Sequence, residues 1–135
     1  METERQSGSD RATILIVEDE LLIRWAIADH LQEHGFKTLA ASTADEAIEA
    51  LRNYESKIEI VFSDVRLLGS LDGAGLAAWL KQHRPEIRVI LTSGHAQAKD
   101  VAQDLCAHVG EIVRKPYDFD AVRTRIEHAL SVRAN

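Results

Sequence analysis

Three short apolar runs in this chain each end on charged residues, and that pattern restricts both the fold and its chemistry. Ile14-Leu15-Ile16-Val17 runs into Glu18-Asp19. Ile58-Glu59-Ile60-Val61-Phe62-Ser63 runs into Asp64, and Ile112-Val113-Arg114 runs into Lys115-Pro116. Short β-branched-rich runs with little polar alternation suit strands covered on both faces. If the runs are parallel strands, their C-terminal ends gather on one edge of the sheet, where open α/β folds place ligands. An acidic pair, a lone aspartate and a lysine then share a pocket. That set can hold a divalent cation and put a phosphoryl group on a carboxylate.

The rest of the chain supplies the helices that such a sheet needs. A helix is expected over 21–34, stopped by Gly35, and a strand over 38–41. Thr43-Ala44-Asp45-Glu46 has the form of a capping box and opens a helix to about 53. A strand over 58–63 leads into a glycine-bearing loop over 67–75, then a helix over 76–83 ended by Arg84-Pro85. A strand over 88–92, a helix over 97–107 and a short strand over 111–114 follow. Asp118 caps a last helix reaching about 132, with Phe119, Val122, Ile126 and Ala129 on one face. Five strands alternating with five helices predict an α/β fold, a parallel sheet with helices on both faces.

At 135 residues the chain suits one domain with a real core. Residues 1–11 are a polar lead-in expected to be disordered, and 12–133 form the domain. A net charge of −6 argues against nucleic acid and anionic membranes as direct partners. Cys106 is the sole cysteine, so no internal disulfide is possible, which fits a reducing compartment. Its apolar helical surroundings suit a structural role rather than a reactive one. The amino end lacks the apolar core of a signal peptide, and no run approaches the ~18 to 20 apolar residues of a membrane span. The expected location is the cytoplasm.

The pocket's charges point to its occupant. Glu18, Asp19 and Asp64 together carry about −3, and two carboxylates ~4 Å apart repel by roughly 4 kcal/mol at an effective dielectric of 20. Lys115 supplies one positive charge, and a Mg²⁺ would bring the sum to about zero. Mg²⁺ suits one or two carboxylates together with waters and a phosphate oxygen. An ionised aspartate can attack phosphorus, with metal and lysine neutralising the phosphoryl oxygens. Thr92-Ser93-Gly94 adds hydroxyls at the end of the fourth strand, where one can donate to a phosphoryl oxygen.

Over about 13–131 the chain resembles the receiver domain of two-component response regulators. The resemblance rests on Ile16-Val17-Glu18-Asp19-Glu20, Phe62-Ser63-Asp64-Val65-Arg66, Leu91-Thr92-Ser93-Gly94 and Arg114-Lys115-Pro116. Each piece is weak alone, but together, in order and after strands, they are highly specific. The resemblance implies a flavodoxin-like (βα)5 fold with strand order 2-1-3-4-5. It implies that Asp64 accepts the phosphoryl group from a sensor histidine kinase or a histidine phosphotransfer protein. Glu18, Asp19, Asp64 and the Arg66 carbonyl would hold Mg²⁺. Ser93, rather than Thr92, is the expected switch hydroxyl. Lys115 would contact the phosphoryl oxygens, with a cis Lys115-Pro116 bond. Arg66 and His95 would flank the phosphoryl group and tune its lifetime. The output surface is expected around 97–125. Ile112 stands where the family usually carries an aromatic switch residue, so a shift of backbone and loop is expected in place of a ring flip. Leu68 stands where relatives often carry proline. No output domain follows Asn135, so a stand-alone switch or phosphorelay shuttle is expected, a monomer or weak dimer with an unnamed downstream protein target.

Other readings fit less well. A phosphatase of the haloacid-dehalogenase type needs a second acid two residues after its nucleophile, and Arg66 stands there. A pseudo-receiver, purely an interaction module, usually lacks part of the constellation. A flavodoxin-like flavin protein needs a stacking site that is not evident. Residues 69–75 lack the Gly-Lys-Ser/Thr of a phosphate loop.

The first helix carries two further features. Ile23, Ala26, Ile27, His30, Leu31 and His34 form the stripe expected to face the sheet. Leu21, Leu22 and Trp25 fall on the opposite face, and Leu22 and Trp25 are the expected apolar anchor for a partner's helical bundle. His30 and His34 stand at i, i+4, a spacing able to bind metal. No third ligand is evident in the sequence, and their place on the core-facing stripe argues for a structural role.

Overall fold

The computed structural model describes residues 11–53, 57–94 and 112–131. Five parallel strands form one sheet in the order β2-β1-β3-β4-β5. In chain order the elements are β1 (Thr13–Val17), α1 (Leu21–Glu33), β2 (Lys37–Ala41), α2 (Ala44–Asn53), β3 (Ile60–Asp64), α3 (Gly73–His83), β4 (Arg88–Ser93), β5 (Val113–Arg114) and α4 (Phe119–Ser131). The expected helix over 97–107 lies outside the described residues, as does Cys106.

The continuous apolar runs follow from burial on both faces. Along β1, Leu15 and Val17 enter one core with Val61, Val89 and Leu91 of the neighbouring strands. Ala47 and Leu51 of α2, and Leu76, Ala77 and Leu80 of α3, cover that side. Ile14 and Ile16 enter the other core with Ile60, Phe62 and Ile90. Ile27 and Leu31 of α1, and Val122, Ile126 and Ala129 of α4, cover it. Strand alternation thus turns each apolar run into two half-cores.

Caps mark the helix ends much as the sequence suggests. The Glu46 amide donates to Thr43 Oγ1 at 3.1 Å. The return arm of that box lands one residue early: the Ser42 amide and hydroxyl donate to Glu46 Oε1 at 2.8 and 2.9 Å. The Ala121 amide donates to Asp118 Oδ1 at 2.6 Å. Gly35 ends α1 with φ +92°, a conformation that favours glycine.

Three expectations are corrected. The third strand starts at Ile60 and includes Asp64, rather than covering 58–63. The third helix begins at Gly73, inside the expected loop, because Asp72 Oδ1 accepts from the Gly75 amide at 2.8 Å and caps it there. The last strand is only Val113–Arg114 among the described residues.

On α1, Ile27 and Leu31 are buried and Ile23, Ala26 and His30 half-buried, but His34 is exposed. The core-facing stripe therefore ends at Leu31, and His34 is the exposed residue that caps α1 after Glu33.

Candidate functional site at the C-terminal edge of the sheet

Parallel register brings the charged strand ends together. Val17 is level with Ser63, Asp64 with Thr92, and Ser93 with Arg114. The ladder runs on past the strand ends, because the Val65 amide donates to the Thr92 carbonyl at 2.8 Å and the Lys115 amide to the Ser93 carbonyl at 2.9 Å. Glu18, Asp64 and Lys115 therefore sit on one rim. β1 and β3 are neighbours there, but β1 leads to β2 on one side while β3 leads toward β4 on the other. This reversal of direction opens the crevice where such sheets bind ligands.

Asp64 is 7% exposed. Its Oδ2 accepts from Lys115 Nζ at 2.6 Å, and its Oδ1 accepts from the Arg66 amide at 3.2 Å. Partial burial works against the charged form of Lys115. The hydrogen bond and charge of Asp64, with help from Glu18, outweigh it and hold the ammonium above the ordinary lysine range. Glu18 is almost fully buried. Burial pushes its carboxyl up to about 6, against the Glu20 amide hydrogen bond and the charge of Lys115, while Asp64 adds to the rise. The Glu20 amide reaches Glu18 Oε2 at 3.1 Å. Asp19 is half-buried beside it. An acid that resists ionisation next to a second acid is one whose environment favours an added cation.

Ser93 closes β4 fully buried, and its hydroxyl donates to the Gly94 carbonyl at 3.0 Å. The hydroxyl is thus engaged by its own chain. The Lys115-Pro116 bond is cis, as the resemblance implied. His95 and most of the expected output surface lie outside the described residues.

Three residues near the site were not singled out from sequence. Arg24 Nη1 donates to the Glu18 carbonyl at 2.7 Å and ties α1 to the rim. Tyr117 packs edge-on against Phe62, ring centroids 6.3 Å apart, and burial raises its hydroxyl pKa. At Gly73 an added Cβ would run into the backbone of Asp64 and Val65. The only sequence signal for the last is Asp72-Gly73, a cap followed by a residue without a side chain.

Leu22 and Trp25 are 75% and 61% exposed on α1. With Ala26, Ala28, Asp29 and Gln32 they line a shallow groove along α1.

The response regulator receiver domain model matches residues 14–127. The chain belongs to the receiver domain family of two-component response regulators. The receiver domain of NtrX from Brucella abortus superposes with a TM-score of 0.77 at 33% identity, covering 88% of this chain and 98% of that one. The sensor kinase CckA of Brucella abortus is 32% identical over 127 residues, 92% of this chain and 13% of the relative. A putative NtrX-like response regulator of Rickettsia felis is 30% identical over 120 residues, 88% of this chain and 25% of the relative. This receiver thus spans a quarter or less of the length of these two curated relatives. Receivers are signalling modules that work with histidine kinases. Among the described residues, no helix is long and apolar enough to cross a membrane.

Proposed function

We propose that this receiver takes a phosphoryl group onto Asp64 from a phosphohistidine of a sensor kinase or phosphotransfer protein. The contact that carries the reading is Lys115 Nζ on Asp64 Oδ2 at 2.6 Å, at the strand edge that also holds Glu18. A carboxylate oxygen of Asp64 forms the new bond to phosphorus. The bond from phosphorus to the donor's imidazole nitrogen breaks, and that nitrogen keeps the electron pair. Lys115 transfers its hydrogen bond from the carboxylate to a phosphoryl oxygen. Glu18, Asp19, Asp64 and the Arg66 carbonyl are all-oxygen donors that fit Mg²⁺, which when bound neutralises charge on the phosphoryl group in flight. Ser93 leaves the Gly94 carbonyl and donates to the phosphoryl group, pulling the end of β4 inward. Arg66, exposed beside Asp64, gates the water that later hydrolyses the acyl phosphate. The reading applies to the 12–133 module, whatever else is joined to it.

Acetyl phosphate with Mg²⁺ should add one base-labile phosphoryl group per chain, absent in Asp64→Asn and blocked by a chelator. Full labelling of Asp64→Asn sinks the proposal.

Leu22 and Trp25 form the docking anchor for the donor's helical bundle. Their exposure on the helix that starts at the rim supports this. Trp25→Ala should slow transfer from the cognate kinase and leave acetyl phosphate labelling intact. Equal loss in both assays would mean that Trp25 supports the fold instead.

A further inference from the structure

We propose that His30, His34 and Asp120 form a second metal site, for a divalent transition ion such as Zn²⁺, that ties the start of α4 to α1. The three side chains bring their ligand atoms within 4.8 Å of one another. They come from one helix and from the first turn of another remote in sequence, so only the tertiary fold assembles them. His30 Nε2 lies 3.2 Å from Asp120 Oδ1. In a tetrahedral zinc site with bonds of ~2.0 to 2.1 Å, neighbouring ligand atoms stand ~3.3 Å apart. His30 and Asp120 are thus already at ligand spacing, and His34 brings its ligand atom within 4.8 Å of both.

The hydrogen bonding also suits a metal. His34 Nδ1 is 3.0 Å from the His30 carbonyl, which can only accept, so Nδ1 is the donor and Nε2 is the nitrogen left to face an ion. A backbone carbonyl on the far nitrogen is the arrangement that orients metal-bound histidines. His30 Nε2 is buried and makes no hydrogen bond, although Asp120 is close. The Phe119 ring, with its centroid 5.9 Å from that of His30, borders the imidazole.

The neighbouring cations leave room for an ion. Arg123 Nη2 makes a long 3.4 Å contact to Asp120, while its Nη1 holds Glu127 at 3.1 and 3.2 Å. Arg11 also binds Glu127, at 3.1 Å, and donates to the His34 carbonyl at 2.8 Å. Glu127 therefore offsets both arginines, and a metal on Asp120 displaces only the weakest of these contacts. Two imidazoles select a transition ion over Mg²⁺, whereas the all-oxygen rim around Asp64 selects the reverse.

The test is equilibrium dialysis of the full chain against Zn²⁺ with excess Mg²⁺ present. The same measurement is made on His34→Gln and Asp120→Asn, both at exposed positions. One Zn²⁺ should bind per chain, with affinity reduced at least tenfold in each variant. Zn²⁺ should also raise the melting temperature of the wild type and not that of His34→Gln. No saturable binding overturns the proposal. So does binding that survives either substitution, which would place the ion on the acidic rim, on Cys106 or on two ligands alone.

Discussion

Gly73→Ala should cost this receiver about 2 kcal/mol or more, a large effect for a single methyl group. An alanine Cβ at 73 would stand 2.8 Å from the Asp64 carbonyl carbon and 2.9 Å from Val65 Cα, with the Asp64 carbonyl oxygen nearer still. These are main-chain atoms at the end of β3, held in the sheet by the Val65 amide on the Thr92 carbonyl. They cannot rotate away as a side chain can, so α3 must back off from the sheet. Overpacking of this kind costs ~1 to 3 kcal/mol. Retreat also loosens the 2.7 Å bond from the Gly73 amide to the Val65 carbonyl, worth ~0.5 to 1.5 kcal/mol. Alanine's helix propensity returns at most ~1 kcal/mol. With a urea slope of roughly 1 to 3 kcal/mol/M, the unfolding midpoint should fall by about 1 M. Labelling by acetyl phosphate should slow as well, because the displaced atoms belong to Asp64, the proposed phosphoacceptor. Gly75→Ala is the control. Its Cβ would meet Leu71 Cδ1 at 2.5 Å, the tip of a side chain that can turn, so the change should stay under about 1 kcal/mol. A Gly73→Ala midpoint equal to that of the wild type would refute the reasoning.

Glu18→Gln should stabilise the metal-free protein at neutral pH. Burial pushes the folded-state carboxyl up to about 6 from the ordinary 4.5, so keeping it ionised costs up to about 2 kcal/mol above pH 6. The penalty shrinks as pH falls from 6 and is gone below 4.5, where both states are protonated. Urea melts in a chelator at pH 7 and pH 4 should show the gain at the higher pH only, and Mg²⁺ should stabilise the wild type more than the variant. Asp118→Ala removes the cap on the Ala121 amide and should cost about 1 kcal/mol, read from the melting temperature, without changing acetyl phosphate labelling. Ser93→Ala should still be labelled on Asp64. Its amide exchange near β4 and β5 should respond less than the wild type's to a beryllofluoride mimic of the phosphoryl group.

The alternation of apolar runs and helical segments was enough to read a parallel sheet, because buried strands need apolar residues on both faces. Glu18-Asp19, Asp64 and Lys115 were legible as a site because each directly follows such a run. Parallel strands carry their C-terminal residues to a common edge whatever the loops do. The exposed Leu22 and Trp25 were legible too, since a helix periodicity leaves them off the buried stripe. Other features depended on contacts between segments far apart in the chain. Gly73 is special only because α3 starts against the carbonyl of Asp64, and no local pattern states that approach. Nothing local marks Arg24 out, and only the fold brings the Glu18 carbonyl within its reach. His30 and His34 lacked a third ligand because Asp120 lies far along the chain, joined to them only when α1 and α4 pack on the same face of the sheet. Local pattern sets which residues are buried and which strand ends carry charge. The distances that decide chemistry are set by how separate elements pack, and a linear sequence does not display them.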